Sequence, residues 1–200
     1  STRFVVDLNR DRSEGGENGV IKLTDFEKRP LYPEGFVLTP EKREERLRRY
    51  FDSFHTEVEA TLATNDIRLI VDGHSMQPHG PKISPTPGVP RPAITLMTCS
   101  DENGQALKAG GHTSISPEVT NVVMGLLEKH FAPIIGKSTT VPHEIALNQP
   151  WSHDELSYRY SDPTRKNAVP AFGIEFNHAL YLIYQDGKEL PNEPVIQQLN

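Results

Sequence analysis

The stretch Arg68-Leu69-Ile70-Val71-Asp72-Gly73-His74-Ser75 carries the strongest strand signal in the sequence. Its apolar run is short and nearly continuous and follows a helical pattern, which is typical of a central strand in a parallel sheet. Gly73 lets the backbone turn, so that His74 can point into a crevice at the end of the strand. Because sites in open α/β sheets lie beyond the carboxyl ends of the strands, we expect the functional site here.

Helical and extended patterns alternate in the rest of the chain. A helix is predicted from Thr39-Pro40-Glu41 to about Asn65, and another begins at Ser116-Pro117-Glu118. Their expected inner faces are Leu47, Phe51, Phe54, Val58 and Leu62 in the first helix, and Val119, Val122, Val123, Leu126 and Leu127 in the second. Further strands are predicted at Arg3–Leu8, Ala93–Met97, His143–Leu147 and Ala171–Phe176. The sequence therefore predicts a three-layer α/β sandwich, with a mostly parallel, twisted sheet and helices on both faces.

Length and composition favour one domain over residues 1–200 that contains a single core, since 36% of the residues are hydrophobic. A net charge of −6 disfavours nucleic acid as a partner. Cys99 is the only cysteine, which predicts a reducing, cytoplasmic environment, and no apolar stretch approaches the roughly 20 residues of a membrane span. The sequence begins almost within a predicted strand, so we expect a domain that is truncated at its N-terminus. It also stops soon after Pro194, which leaves a truncation at its C-terminus open.

Three predicted strands end in chemically reactive residues. Asn9 and Arg10 follow the first, His74 follows the second, and Glu175 lies in the last. A neutral imidazole at His74 would be a good zinc ligand, although a hydrogen-bonded structural histidine is an equal alternative. Glu175 interrupts an apolar strand, where burial would raise its pKa towards that of a general base; the alternative is an acid paired with Arg10 or Arg159.

Other polar residues are candidates for substrate binding. An amide and a guanidinium at Asn9 and Arg10 would suit a substrate carboxylate. His112 follows a glycine pair and could reach substrate on a mobile loop, although surface histidines are commoner. Arg159 could supply a second positive charge for an acidic substrate or an oxyanion. The segment Gln77–Pro92, with six prolines, is predicted to be an irregular loop that could cover the site.

Four motifs together carry a resemblance to a known family. In order they are Val5-Val6-Asp7-Leu8-Asn9-Arg10, Ile70-Val71-Asp72-Gly73-His74-Ser75-Met76, Leu147-Asn148-Gln149-Pro150, and Gly173-Ile174-Glu175-Phe176-Asn177-His178-Ala179-Leu180-Tyr181. This order resembles the N-formylglutamate amidohydrolase family and, more distantly, the zinc metallocarboxypeptidases. The similarity extends from Arg3 to about Tyr181.

The resemblance implies a zinc exopeptidase-like fold and a metal-dependent amidohydrolase that acts on carbon–nitrogen bonds other than peptide bonds. The implied substrate is a small acidic N-acyl amino acid such as N-formylglutamate, and the implied cofactor is one zinc ion held by two histidines and an acid. By resemblance, His74 is the last zinc ligand, Glu175 is the general base that activates water, and Asn9 with Arg10 binds the substrate carboxylate.

The sequence departs from the family in three places. The family's other two zinc ligands lie before the Asp-Leu-Asn-Arg motif, where this sequence starts. Trp151–Glu155 stands where the family has a glycine pair, and His178 stands where it has an arginine. These differences leave two alternatives, namely a carboxypeptidase-like or other N-acyl amino-acid hydrolase, and a metal-free binding domain that keeps the fold but not the catalysis.

Overall fold

The computed structural model describes residues 3–136, 142–185 and 188–199 and divides into two compact units. Unit 1 comprises residues 1–68 and 81–87, and unit 2 comprises residues 69–80 and 88–200. The proline-rich loop predicted at Gln77–Pro92 contributes residues to both units. The expectation of a single domain stays a prediction, and each unit is described by itself.

The long helical region of unit 1 begins and ends where the sequence predicts. It consists of α1 (Pro40–Arg46), a π-helical segment (Leu47–Asp52) and α2 (Ser53–Thr64). Thr39 caps the first turn, because its Oγ1 accepts a hydrogen bond from the backbone N–H of Lys42 at 3.4 Å. Leu47 and Phe51 from the predicted inner face are fully buried and pack against the apolar core of unit 1, which also contains Val6, Val20 and Ile21.

The strand predicted at Arg3–Leu8 is wrong, since the structure has no strand there. Residues 3–5 form a turn, and the carboxylate of Asp7 accepts a hydrogen bond from the backbone N–H of Asn9 at 3.2 Å, so local turns replace the predicted strand. The backbone N–H of Asp7 bonds to the carbonyl of Val20 at 2.7 Å. Val6 and Asp7 are buried, as they would be in a strand, but residues 3–8 do not pair with another strand.

Asp7 is the centre of a buried charge cluster in unit 1. Its Oδ2 lies 2.9 Å from the Nζ of Lys22, which is 2% exposed, and 2.9 Å from the Nη2 of Arg3. Lys22 also donates to the carbonyl and the side-chain oxygen of Asn18, each at 2.8 Å. Burial acts to raise the pKa of Asp7, but the surrounding cations outweigh it and hold the pKa below its ordinary value.

Unit 2 contains a four-stranded sheet formed by β1 (Ile70–Met76), β2 (Ile94–Met97), β3 (Ile145–Leu147) and β4 (Ala171–Asn177). The strand order is β1-β4-β2-β3, with β1 parallel to β4, β2 parallel to β3, and β2 antiparallel to β4. The strands predicted at these four places are confirmed, and the sheet is mixed but mostly parallel. The central position predicted for β1 is wrong, because β1 lies at one edge of the described sheet and Val71 is 53% exposed.

Helices lie against both faces of the β4 strand. Alternate residues of a strand point to opposite faces, so Phe172, Ile174 and Phe176 share one face and Gly173 belongs to the other. The first face packs in one apolar core with α3 (Pro117–Ile135). On the second face, the residue that caps α4 (Glu155–Ser161) approaches Gly173.

The inner face predicted for α3 is partly wrong. Val119, Val122 and Leu126 are 37%, 62% and 50% exposed, whereas Val123 and Leu127 face the core. The remaining apolar residues that α3 directs to the sheet are Met124, Phe131 and Ile135. Two adjacent apolar stripes follow helical spacing in this segment, and only packing against the sheet selects between them.

The C-terminal part of unit 2 follows β4 with a short 3-10 helix (His178–Leu180). An antiparallel pair, β5 (Leu182–Gln185) and β6 (Lys188–Pro191), comes next, and then α5 (Glu193–Leu199). Within the described residues, no helix is both long enough and apolar enough to cross a membrane.

Replacing Asp7 with asparagine should lower the free energy of unfolding by about 3 kcal/mol at pH 7, because Lys22 would keep a buried charge without its counter-ion. Since the pKa of Asp7 is lowered by folding, its stabilising contribution is present above the ordinary value of 3.8 and is lost as the pH falls through the lowered value. Denaturant unfolding should show the difference between parent and variant shrinking below pH 3.8. Asp66→Asn, which breaks a fully solvated ion pair with Arg68, is the control and should change little. A difference that stays constant down to pH 2 would contradict this assignment.

Candidate metal centre

The end of β1 brings a carboxylate and an imidazole to one face of the sheet. Asp72 and His74 are two residues apart on the strand, so their side chains point to the same side. The parallel register pairs His74 with Glu175 of β4, which places the predicted general base beside the predicted ligand. The sequence placed both residues at strand ends, and the structure shows that the two strands are neighbours.

Asp154 enters this face from the N-terminus of α4. It is the capping residue of that helix, and its Oδ2 accepts hydrogen bonds from the backbone N–H of Ser157 at 3.0 Å and from the Ser157 hydroxyl. Its side chain is completely buried. Gly173 makes the approach possible, because a Cβ at that position would lie only 3.0 Å from Cβ and Cγ of Asp154 and 2.6 Å from Cε of Met97.

Asp72, His74 and Asp154 converge on one point. Nε2 of His74 lies 2.8 Å from Oδ2 of Asp72 and 3.3 Å from Oδ1 of Asp154. One ligand atom from each residue falls within 4.8 Å of the other two, so the three side chains could hold a metal ion. Two carboxylate oxygens and an imidazole nitrogen are a donor set that zinc accepts.

Electrostatics at this point are dominated by the two carboxylates. Burial acts to lower the pKa of His74, but hydrogen bonding and charge from Asp154 and Asp72, together with the charge of Glu175, raise it well above its ordinary value. Burial and the neighbouring Asp154 carboxylate raise the pKa of Asp72. A proton on His74 therefore balances part of the negative charge, and a bound cation would take over that role.

The buried oxygen Oδ2 of Asp72 tests whether the site fits a metal. It accepts no hydrogen bond of good geometry from the described residues, although Nε2 of His74 is only 2.8 Å away. Tetrahedral zinc ligands at about 2.0–2.2 Å stand roughly 3.3–3.6 Å apart. The 3.3 Å between Nε2 of His74 and Oδ1 of Asp154 matches this separation, and the 2.8 Å between Nε2 and Asp72 is shorter. The donor set and this unsatisfied oxygen both fit a divalent cation.

A buried arginine lies within electrostatic range of Glu175. Arg91 is 5% exposed and its guanidinium stacks 4.3 Å above the ring of Trp151. Its Nε is buried and has no hydrogen-bond partner among the described residues. Asn177, at the end of β4, donates to the carbonyls of Arg91 and Pro92 at 3.1 Å, which fixes the backbone there. Burial lowers the pKa of Arg91, while the charge of Glu175 opposes that effect.

The profile of the N-formylglutamate amidohydrolase family matches residues 1–182 of this sequence. The chain belongs to this family. No curated protein sequence matches it.

Two solved structures resemble this family member in fold. One is N-formylglutamate amidohydrolase from Ralstonia eutropha, with 20% sequence identity and a TM-score of 0.56, aligned over 98% of this chain and 68% of its own. The other is a gene product from Agrobacterium tumefaciens, with 18% identity and a TM-score of 0.54, aligned over 88% of this chain and 57% of its own. This chain thus spans roughly three fifths to two thirds of their length. The mixed α/β architecture agrees with them, while zinc exopeptidase-like detail stays a prediction.

In this family member, the other site residues predicted within unit 2 make local contacts. Arg159 lies on α4, where its Nη2 is 3.4 Å from the Oε1 of Glu155. The ring of His112 stacks on Tyr158 at 4.2 Å, and its Nε2 lies 2.9 Å from the Tyr158 carbonyl oxygen. The roles predicted for Arg159 and His112 stay predictions.

The predicted carboxylate clamp belongs to unit 1. Arg10 donates from Nη1 to the carbonyl of Asn9 at 3.1 Å and from Nε to the carbonyl of Asn18 at 3.3 Å. Its Nε also lies 3.8 Å from Asp7 Oδ2. Asn9 follows the turn at Asp7. The substrate-binding role of both residues stays a prediction.

Sequence reasoning assigned no role to Asp154 or Arg91. Asp154 lies in the Trp151–Glu155 segment that was expected to differ from the family, and an aspartate before a helix would have indicated an N-cap but not a ligand. Arg91 lies at the end of the proline-rich loop, and no pattern in the sequence marks it as buried. Cys99 is a buried, free thiol.

Replacing Gly173 with alanine should push Asp154 away from His74. Met97 can rotate aside, but Asp154 is held by its cap and cannot retreat without breaking it. We expect the free energy of unfolding to fall by about 1–3 kcal/mol. In protein stripped of metal by a chelator, the pKa of His74 should fall towards its ordinary value, because Asp154 helps to raise it. An NMR titration of the imidazole measures this.

Gly125→Ala is the matched control, since a Cβ on this exposed helical glycine would meet nothing within 4 Å. It should leave the His74 titration unchanged. An unchanged titration in Gly173→Ala as well would show that Asp154 does not act on His74.

Proposed function

We propose that this protein is a zinc-dependent amidohydrolase that removes an N-acyl group, typically formyl, from a small acidic amino acid such as N-formylglutamate. Family membership supports the class of reaction. The single observation that carries the proposal is the cluster of Asp72, His74 and Asp154 beside Glu175 on one face of the sheet.

Asp72, His74 and Asp154 would hold the zinc ion. Three protein ligands leave a fourth tetrahedral position for water or substrate, which is the arrangement of catalytic zinc sites. When bound there, zinc would lower the pKa of water and polarise the carbonyl of the scissile amide. Asp154 is fixed by its helix cap and by contact with Gly173, so this ligand is already in position before an ion binds.

Glu175 is the residue we assign as general base. Its strand register places it next to His74, and it is partly buried, so its carboxylate is shielded from bulk water without being inaccessible. It would take a proton from the attacking water and give it to the amide nitrogen as the carbon–nitrogen bond breaks. The release of formate and a free amino group then completes hydrolysis.

Arg91 is suited to stabilise negative charge during this reaction. Its guanidinium is buried, stacks on Trp151 and lies close enough to Glu175 for the charge of that carboxylate to affect the pKa of Arg91. Arg91 therefore keeps a positive charge near the reacting groups. Arg159 is the other arginine proposed for this role. Asn9 and Arg10 remain the proposed carboxylate clamp, with His112 as a further substrate contact.

A different N-acyl amino acid, or a carboxypeptidase-like substrate, is the second candidate within the same chemistry. It is favoured by His178, which stands where the family has an arginine and whose Nε2 lies 3.1 Å from Oγ of Ser75. A metal-free binding domain is the remaining candidate. It is favoured by the raised pKa of His74, because a protonated imidazole balances part of the negative charge of Asp72 and Asp154 without a metal ion.

We expect the protein to bind one zinc ion per chain, and His74→Ala and Asp154→Asn each to weaken that binding about 100-fold or more. Isothermal titration with zinc and metal analysis after dialysis measure the affinity and the stoichiometry. His130→Ala, which removes an exposed histidine from α3, is the control. Equal zinc content in parent and His74→Ala would exclude this site, and a parent that binds no zinc would favour the binding domain.

With N-formylglutamate as substrate, Glu175→Gln should reduce kcat by about 10² to 10⁴-fold, because the amide cannot accept a proton. Zinc affinity should be unchanged within a few-fold. Glu128→Gln, on the exposed side of α3, should retain the parent rate. Equal rates for parent and Glu175→Gln would remove Glu175 from the mechanism.

A further inference from the structure

Unit 1 contains a cavity of about 580 Å³ that the proposed reaction does not use. This volume lies within the range of small-molecule sites, about 300–1,000 Å³. The cavity is bounded on one side by α1 and the π-helical segment, and on the other by the chain near residues 4–5 and 31–32. Its lining residues are Phe4, Val5, Leu31, Tyr32, Lys42, Glu45, Arg46, Arg49 and Tyr50.

The charge of the cavity wall is opposite to that of the whole protein. Three of its side chains are cations, Lys42, Arg46 and Arg49, and one is an acid, Glu45. In the described part of the chain, none of these cations has a carboxylate within ion-pair distance, and Glu45 does not pair with Arg49 although the two are four residues apart. A net positive wall in a protein of net charge −6 is an electrostatic site for an anion.

Aromatic rings hold the cations in place. Nη1 of Arg46 donates to the hydroxyl of Tyr32 at 2.6 Å, and its guanidinium carbon lies 5.3 Å from the centre of that ring. The guanidinium of Arg49 lies 5.4 Å from the ring of Tyr50. Such contacts leave N–H groups of both arginines available to a ligand, because a guanidinium has five of them.

The π-helical segment provides an independent reason to expect a site here. Arg49 and Tyr50 lie within Leu47–Asp52, where the wider helical turn places both residues on the cavity side together with Arg46. Isolated π-helical turns are frequently found at functional sites. The opposite side of the same segment supplies Leu47 and Phe51 to the core, so the segment is anchored.

We propose that this cavity binds a small organic anion, with a carboxylate or phosphate group at the three cations and an apolar body against Phe4, Val5 and Leu31. The lining residues all belong to unit 1, and none of them is part of the cluster of Asp72, His74 and Asp154 or is Glu175. Binding there therefore needs neither zinc nor Glu175.

The test is isothermal titration of the full chain with phenyl phosphate and with benzoate, at fixed ionic strength. At least one of them should bind saturably, and Arg49→Ala should weaken that binding about tenfold, the effect expected for losing a charged hydrogen-bond donor. Arg48→Ala is the matched control: it removes the same charge from an exposed neighbour that does not line the cavity, and it should leave the affinity unchanged. Inorganic phosphate should bind at least several-fold more weakly than phenyl phosphate.

Several results would overturn the proposal. They are the absence of saturable binding by both probes up to about 10 mM, an equal loss in Arg48→Ala and Arg49→Ala, and equal affinity for phenyl phosphate and inorganic phosphate. NMR gives a further check, since the Nε–H signals of Arg46 and Arg49 should shift while the ring of His74 does not. A shift of His74 instead would assign the binding to the metal-ligand cluster. Failure of this test leaves the zinc and hydrolysis measurements unaffected.

Discussion

The close approach of Asp154 to Gly173 is the contact on which the site in unit 2 depends. A side chain at Gly173 would occupy the space that Asp154 fills, and Asp154 is held there by the first turn of α4. The carboxylate therefore meets His74, which β1 presents from the neighbouring strand. The absence of a side chain at Gly173 thus allows the residue that caps α4 to lie beside β1. The carboxylate of Asp154 then helps to raise the pKa of His74.

The two units use buried charge in different ways. In unit 1, Asp7 is surrounded by cations, so its negative charge is balanced inside the fold and contributes to structure. In unit 2, Nε2 of His74 lies 2.8 Å from Oδ2 of Asp72 and 3.3 Å from Oδ1 of Asp154, so a proton on the imidazole balances part of their negative charge. This charge is removable, whereas the charges of Lys22 and Arg3 around Asp7 belong to side chains that stay protonated at neutral pH.

Family membership and the geometry of the site support each other. The first concerns the class of reaction, and the second concerns the residues that could carry it out. The family profile covers most of the chain and indicates the class of chemistry. The candidate metal-binding residues in this structure are two aspartates and one histidine, whereas the resemblance implies two histidines and an acid. The family profile therefore supports the class of reaction, and the metal-binding residues rest on the geometry of the site.

The sequence alone determined the strands at β1 to β4, the bounds of the long helix in unit 1, and the family, because these depend on local periodicity, capping and motifs that act over a few residues. It also placed His74 and Glu175 at strand ends, but that the two strands are neighbours was decided by the tertiary structure. Only the tertiary structure decided that β1 is an edge strand, that Arg3–Leu8 is not a strand, and which stripe of α3 is buried. Each of these depends on which segment packs alongside. Asp154 and Arg91 became visible only in three dimensions for the same reason: their roles arise from burial beside residues that are distant in sequence.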